Sequence, residues 1–316
     1  MEDAFSTYHP IINFLYFAVV LIISMFFNHP VVLGISLISA IVYAFVLQGW
    51  KKVLKFNLLF MFPMLIIVAL INPLFNHAGV TILFYLKNGN PITFESIIYG
   101  WVMAVILIQV IIWFSCYNII MTSDKFIYLF GKIIPALSLI FSMVLRFVPK
   151  FKAQLKVISE GQKCIGRDIS NGNILMRARH GVTILSIMVT WALENAIETA
   201  DSMKARGYGL RGRTAFSIYR FDKRDKMMLI IMALLLILFI TGVSMGNTFV
   251  QYNPIIVING ISPLTLASFL TYFIFFVFCL IPVWVDGLSF LKWKKLKAVI
   301  PEKKINTEIR VGVEMS

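Results

Sequence analysis

Six stretches of this chain contain no Asp, Glu, Lys, Arg or His: Ile11–Phe27, Val31–Leu47, Asn57–Ile71, Ser96–Met121, Met227–Gly246 and Leu264–Val285. Most approach or exceed the roughly 20 residues that a helix needs to cross the hydrocarbon core of a bilayer. Inside hydrocarbon every backbone N–H and C=O must find a partner within the protein, which leaves helices as the solution for runs of this kind. The pattern predicts an all-α membrane protein with about six transmembrane helices. Composition agrees: 59% of the residues are hydrophobic and only 14% are charged, against about half and a quarter in soluble domains.

The connections set the order of the spans. Asn28-His29-Pro30 is a turn too short to hold a domain, and Gln48–Phe56 carries Lys51, Lys52 and Lys55. Pro63 falls inside the third span, where neighbouring groups can satisfy the carbonyl that it frees. Asn72–Glu95 is rich in Asn, Gly and Pro, with a β-favouring run Val80–Tyr85 before Asn88-Gly89. It reads as a short ordered loop with a hairpin. Asn247–Pro263, between the fifth and sixth spans, has no charged residue. The first run follows an acidic N-terminus without a basic segment or small-residue cleavage site, so it reads as a retained span.

Charge then fixes orientation. Of 29 lysines and arginines, 28 lie in Gln48–Phe56, in 122–226 or after Val285, while Lys87 alone lies in Asn72–Glu95. Positive loops stay in the cytoplasm, so both termini and the block between spans four and five are expected there. Residues 122–226 hold 18 Lys and Arg against eight Asp and Glu. Two short apolar stretches in that block, Ile133–Leu145 and Val182–Leu193, are read as packed on the cytoplasmic side. Were both to cross, seven cations of Pro149–Gly181 would be carried outside. The expected organisation is transmembrane helices one to four in 1–121, a helical region in 122–226, helices five and six in 227–285, and a basic tail in 286–316.

Within the block three helices are expected: Asp124–Val148, bent near Pro135; the amphipathic Lys150–Ile165; and the long Ile174–Arg206, closed by Gly207. The last ends in Ala205-Arg206-Gly207, which holds a planar fork of donors at the tip of a rod. Gly166-Arg167-Asp168 ends the helix before it in a similar way. Ala192, Ala196 and Ala200 repeat every four residues and offer a surface on which another helix can pack closely. Internal packing accounts for that stripe equally well. Glu194, Glu198 and Asp201 form an acidic face beside it.

No catalytic or metal-binding constellation is present. Cys116, Cys164 and Cys279 lack CxxC spacing and are expected to be reduced. The chain has neither a HExxH motif nor a GxxxxGK[ST] phosphate loop, so it is not expected to be an enzyme, to hydrolyse ATP or to hold a cofactor. The excess of positive charge lacks the reading module of a nucleic-acid binder.

Taken together, His9-Pro10 before the first span, the membrane helices, the basic helical block and the ending Met203-Lys-Ala-Arg-Gly-Tyr208 resemble the transmembrane T component of energy-coupling factor (ECF) transporters, the CbiQ/EcfT-like scaffolds of prokaryotic micronutrient importers. The resemblance implies two coupling helices whose X-Arg-X ends dock into grooves on two ABC-type ATPase subunits. It also implies a separate membrane-embedded S component that captures the vitamin or metal ion and is reoriented when the ATPases close. Arg206 then matches the second motif and Arg167 the first, although Gly166-Arg167-Asp168 departs from the usual Ala-Arg-Gly type and Arg177-Ala178-Arg179, near a helix start, is a competing position. A polytopic membrane enzyme or a conventional ABC importer permease remains as an alternative. The first needs paired acids or a serine–histidine pair, the second a polar pathway between helices.

Overall fold

A computed structural model describes residues 3–85, 89–131, 135–168, 170, 173–208, 210, 219–261 and 265–299. Contacts divide the chain into two compact units, one formed by Met1–Thr122 with Tyr219–Ser316, the other by Ser123–Ile218.

The first unit carries the apolar helices: α1 (Pro10–Phe26), α2 (Pro30–Gln48), α3 (Trp50–Phe56), α4 (Phe62–Phe75), α5 (Phe94–Ile120), α9 (Lys223–Ser244) and α10 (Leu266–Val299). Among the described residues five helical stretches are long and apolar enough to cross a membrane, and α1 is a shorter apolar helix. α3 and α4 make one such stretch, Trp50–Phe75, through a single π-turn at Asn57–Met61. In that turn Phe62 donates its N–H to the Asn57 carbonyl, five residues back. The wider turn lies just ahead of Pro63, whose ring cannot sit against a tight preceding turn. The third span therefore begins earlier than the apolar count suggests. The loop before α5 is an antiparallel hairpin of β1 (Ile82–Tyr85) and β2 (Pro91–Thr93), as its β-favouring run predicts; Asn88 of its expected Asn-Gly turn lies outside the described residues. A second hairpin, β3 (Val250–Gln251) with β4 (Val257–Ile258), occupies the uncharged connection before α10.

The core of this unit is aromatic and tied by buried polar bonds. Trp113 of α5 is fully buried and lies edge-on to Tyr16 and Phe17 of α1. Its indole N–H donates to Ser36 Oγ (3.1 Å), which is 2.7 Å from Ser24 Oγ, and Gln109 Nε2 donates to the Ser24 carbonyl (2.8 Å). These bonds link α1, α2 and α5 in a medium that offers no competing water. Gly242 of α9 meets α10 so closely that a Cβ there would fall 2.7 Å from Thr271 Cγ2. Charged groups do occur at helix starts. Buried Asp225, in the first turn of α9, accepts from the backbone N–H of His9 (3.2 Å) and of Asp222 (3.0 Å). Arg224 lies 4.4 Å from the Tyr8 ring centre and donates to Thr7 Oγ1. The N-terminal segment is thereby fastened to the start of α9.

The second unit holds α6 (Ser123–Gly131), α7 (Pro135–Cys164) and α8 (Ile174–Ala205). Residues 132–134, in the expected bend near Pro135, lie outside the described residues. One sequence expectation is corrected here. A break was expected between Val148 and Lys150, yet α7 runs unbroken through Pro149. Proline deprives the Leu145 carbonyl of its helical partner. Leu145 and Pro149 are both exposed, so the freed carbonyl lies on an open face and the helix continues.

Candidate functional site: the helix ends of the second unit

α7 and α8 cross with Phe151 edge-on to Trp191 (5.5 Å between ring centres) and with Lys150 Nζ bonded to Asn195 Oδ1. The N-terminal part of α7, from Ser142 to Lys150, and the C-terminal part of α8, from Asn195 to Arg206, line one groove. The helices are therefore antiparallel, and their C-terminal ends lie at opposite ends of the pair. With 1.5 Å rise per residue, Arg167 and Arg206 are separated by roughly 40 Å along it.

Both ends close with the same backbone device. In α8 the N–H of Gly207 bonds to the Lys204 carbonyl (2.9 Å) and that of Tyr208 to the Met203 carbonyl (3.0 Å). In α7 the N–H of Gly166 bonds to Lys163 (3.0 Å) and that of Arg167 to Gln162 (2.9 Å). This is the paired bonding of a Schellman end, in which a left-handed residue turns the chain. Gly207 (φ +79°) and Gly166 (φ +81°) supply that residue without the Cβ clash that others would meet.

The arginines occupy different places in these matched ends. Arg206 precedes its glycine and caps the helix directly after its last residue, Ala205; Arg167 follows its glycine, two positions further on. The position equivalent to Arg206 in α7 is Ile165. Arg206 thus extends from the final turn, where the helix dipole favours a cation, and is exposed. Arg167 is also exposed but leaves from the turn. Its neighbour Asp168 pairs with Lys163 (3.5 Å) and accepts the N–H of Ser170 (3.0 Å). The bonds from Ser170, then the Lys163 charge, hold its carboxyl below the usual carboxylate range.

Arg177 and Arg179 are exposed near the start of α8, which Asn173 caps, so they are not at a C-terminal helix end. Ala196 is exposed, and Ala192 and Ala200 are half-buried. They continue a line of exposed apolar side chains, Val182, Val189, Leu193 and Ile197, along α8. The same groove brings Arg146 and Lys150 beside Arg206, a grouping that sequence reading missed. Its signal was available only once α7 was continuous across Pro149. Among the described residues no group of three or more His, Cys, Asp or Glu is arranged to hold a metal ion. Cys116 and Cys279 are buried free thiols and Cys164 an exposed one.

No family model matches the chain. Part of it is similar to curated proteins named energy-coupling factor transporter transmembrane protein EcfT. The match is 33% identical over 90 residues in Lactobacillus helveticus, covering 28% of this chain and 32% of the relative. In Lactococcus lactis it is 34% over 106 residues, 32% and 40% of the two chains. In Streptococcus thermophilus it is 37% over 105 residues, 33% and 40%. The matched region spans about a third to two-fifths of these relatives. Similarity to EcfT proteins of several bacteria supports the T-component family of ECF transporters for this multi-pass helical membrane protein.

Proposed function

We propose that the chain is the membrane scaffold of an ECF-type importer, coupling ATP hydrolysis by two partner ATPase subunits to reorientation of a separate S component in micronutrient uptake. The observation that carries the reading is Arg206, exposed at the glycine-closed end of a 32-residue helix. Such a helix is about 48 Å long. A rod of that length, fixed to α7 at Trp191 and Asn195, transmits displacement of its tip better than a loop does. Arg206 supplies the grip, because a guanidinium stays charged and matches carboxylates in a planar, two-bonded geometry. Arg167 supplies a second grip at the other end of the pair. The exposed line from Val182 to Ile197, with Ala192, Ala196 and Ala200 beside it, offers an apolar surface for the S component. In this scheme the chain itself holds no nucleotide and no transported substrate.

The test is co-purification from native membranes with identification of the bound subunits. Wild-type chain should bring down two ABC-type ATPases and a small integral membrane protein. Arg206→Glu should remain membrane-inserted but retain far less ATPase and lose uptake. Normal ATPase recovery and transport by that variant would refute the reading.

A further inference from the structure

The groove beside Arg206 has a volume of about 550 Å³ and is walled by one face of α7 and one face of α8. Three cations line it, Arg146, Lys150 and Arg206, against a single carboxylate, Glu198. Lys150 is held in place: its ammonium bonds to Asn195 and lies 5.4 Å from the centre of the Trp191 ring. Arg146 stands 5.4 Å from the Phe147 ring centre. Among the described residues neither Arg146 nor Arg206 forms an ion pair, and Glu198 is in direct ion contact with none of the three. Ser142 and Ser202 add hydroxyls to the same walls. The groove therefore carries an uncompensated positive charge on two packed helices, one cation of which is already oriented.

Its occupant follows from the other side of α7. Phe141, Val144, Leu145 and Val148 are exposed. At about 100° per residue they centre almost directly opposite Arg146 and Lys150. A phospholipid seated by its headgroup among these cations would find little apolar surface of α7 beneath its chains, since Met143 is the apolar α7 side chain that lines the groove. An acidic protein segment has no such requirement, since carboxylates alone satisfy the groove. We infer that Arg146, Lys150 and Arg206 form one three-cation docking site that receives an acidic segment of the soluble ATPase partner, so that Arg206 does not dock alone. The inference rests on the docking role given to Arg206 above and extends it to two residues of α7.

The experiment uses full-length chain in phosphatidylcholine nanodiscs and the ATPase pair that co-purifies with wild type. Affinity is measured at 50 and 300 mM NaCl for wild type, Arg206→Glu, the double reversal Arg146→Glu/Lys150→Glu, and the charge-keeping exchange Arg146→Lys/Lys150→Arg. The double reversal should weaken binding at least tenfold at low salt and flatten its salt dependence, because fewer screened attractions remain. The charge-keeping exchange should stay within about threefold of wild type, as a site working through charge requires. Wild-type affinity of the double reversal, with Arg206→Glu impaired, overturns the three-cation site while sparing docking by Arg206. Wild-type affinity of Arg206→Glu overturns both. Equal failure of the charge-keeping exchange and the reversal means that the two residues only hold the fold. A loss that appears only when phosphatidylglycerol is included in the nanodisc makes lipid the occupant, and again overturns the inference.

Discussion

Gly207 is the residue on which the aim of Arg206 depends, and its replacement separates backbone geometry from charge. At φ +79° a Cβ costs roughly 1–2 kcal/mol for most residues. The new Cβ would also meet Leu210 Cδ1 at 3.1 Å, the far end of a flexible side chain that can yield. Gly207→Ala therefore either keeps the turn under strain or opens it and redirects Arg206. On the proposed function, and if docking needs the closed end, affinity for the partner ATPases falls by no more than the cost of restoring it, about 5- to 30-fold. Gly207→Asn places a Cβ at the same point, yet asparagine tolerates the left-handed region far better. It should recover most of the loss. Gly166→Ala, with φ +81° and no atom within 4 Å of the added Cβ, isolates the backbone term at the other end. Affinity of purified variants for the ATPase pair, with helicity checked by circular dichroism, decides the matter. Equal, wild-type affinity of the alanine and asparagine variants at position 207 would refute the idea that the turn aims the arginine.

Three further outcomes are expected. Gly242→Ala should destabilise the membrane unit by about 1–3 kcal/mol, because the added methyl must push α9 from α10; adding Thr271→Ala should recover only part in a thermal-unfolding assay in detergent, since the Thr271 Cβ, 2.9 Å away, remains. Asp225→Leu should cost about 1–3 kcal/mol by leaving the amides of His9 and Asp222 without their buried acceptor, read as faster hydrogen exchange over residues 5–13. The Asp168 carboxyl has a folded-state pKa below that of the free side chain, so its contribution is complete above the unfolded value, near pH 4, and fades as pH falls through the folded one; exchange protection of the Gly166–Arg167 amides should hold from pH 8 to 5 and decline only in stronger acid.

The membrane helices were legible because a long charge-free run leaves the backbone few alternatives, and their observed ends fall within a few residues of those runs for α1, α2 and α5. The start of Trp50–Phe75 was not legible, because Lys51, Lys52 and Lys55 end the apolar count while the backbone stays helical. Pro149 misled in the opposite direction. A proline reads as a stop, but its cost depends on whether the orphaned carbonyl is enclosed, which is a property of packing. Arg206 was legible as a tip because glycine follows it directly. The groove was hidden, since dividing α7 at Pro149 put Arg146 and Lys150 on different helices, some 60 residues from their partner on α8.

The two ends of the helix pair are alike in backbone and unlike in presentation, and this bears on how force would enter. Arg206 leaves from the last helical turn and shares a groove with two cations of α7. A pull on it loads α8 along its axis and α7 through Lys150–Asn195 at once. Arg167 leaves from the turn itself, beside an Asp168 already engaged by Lys163 and Ser170. A pull there acts first on a loop junction. Two partner subunits gripping these ends would meet different surfaces, and the α8 end is the stiffer coupling. On the proposed function, loss of the Arg206 grip should therefore cost more transport than loss of Arg167. Uptake by Arg206→Ala and Arg167→Ala at equal expression measures this directly, and the reverse order would show that the loop end carries the greater load.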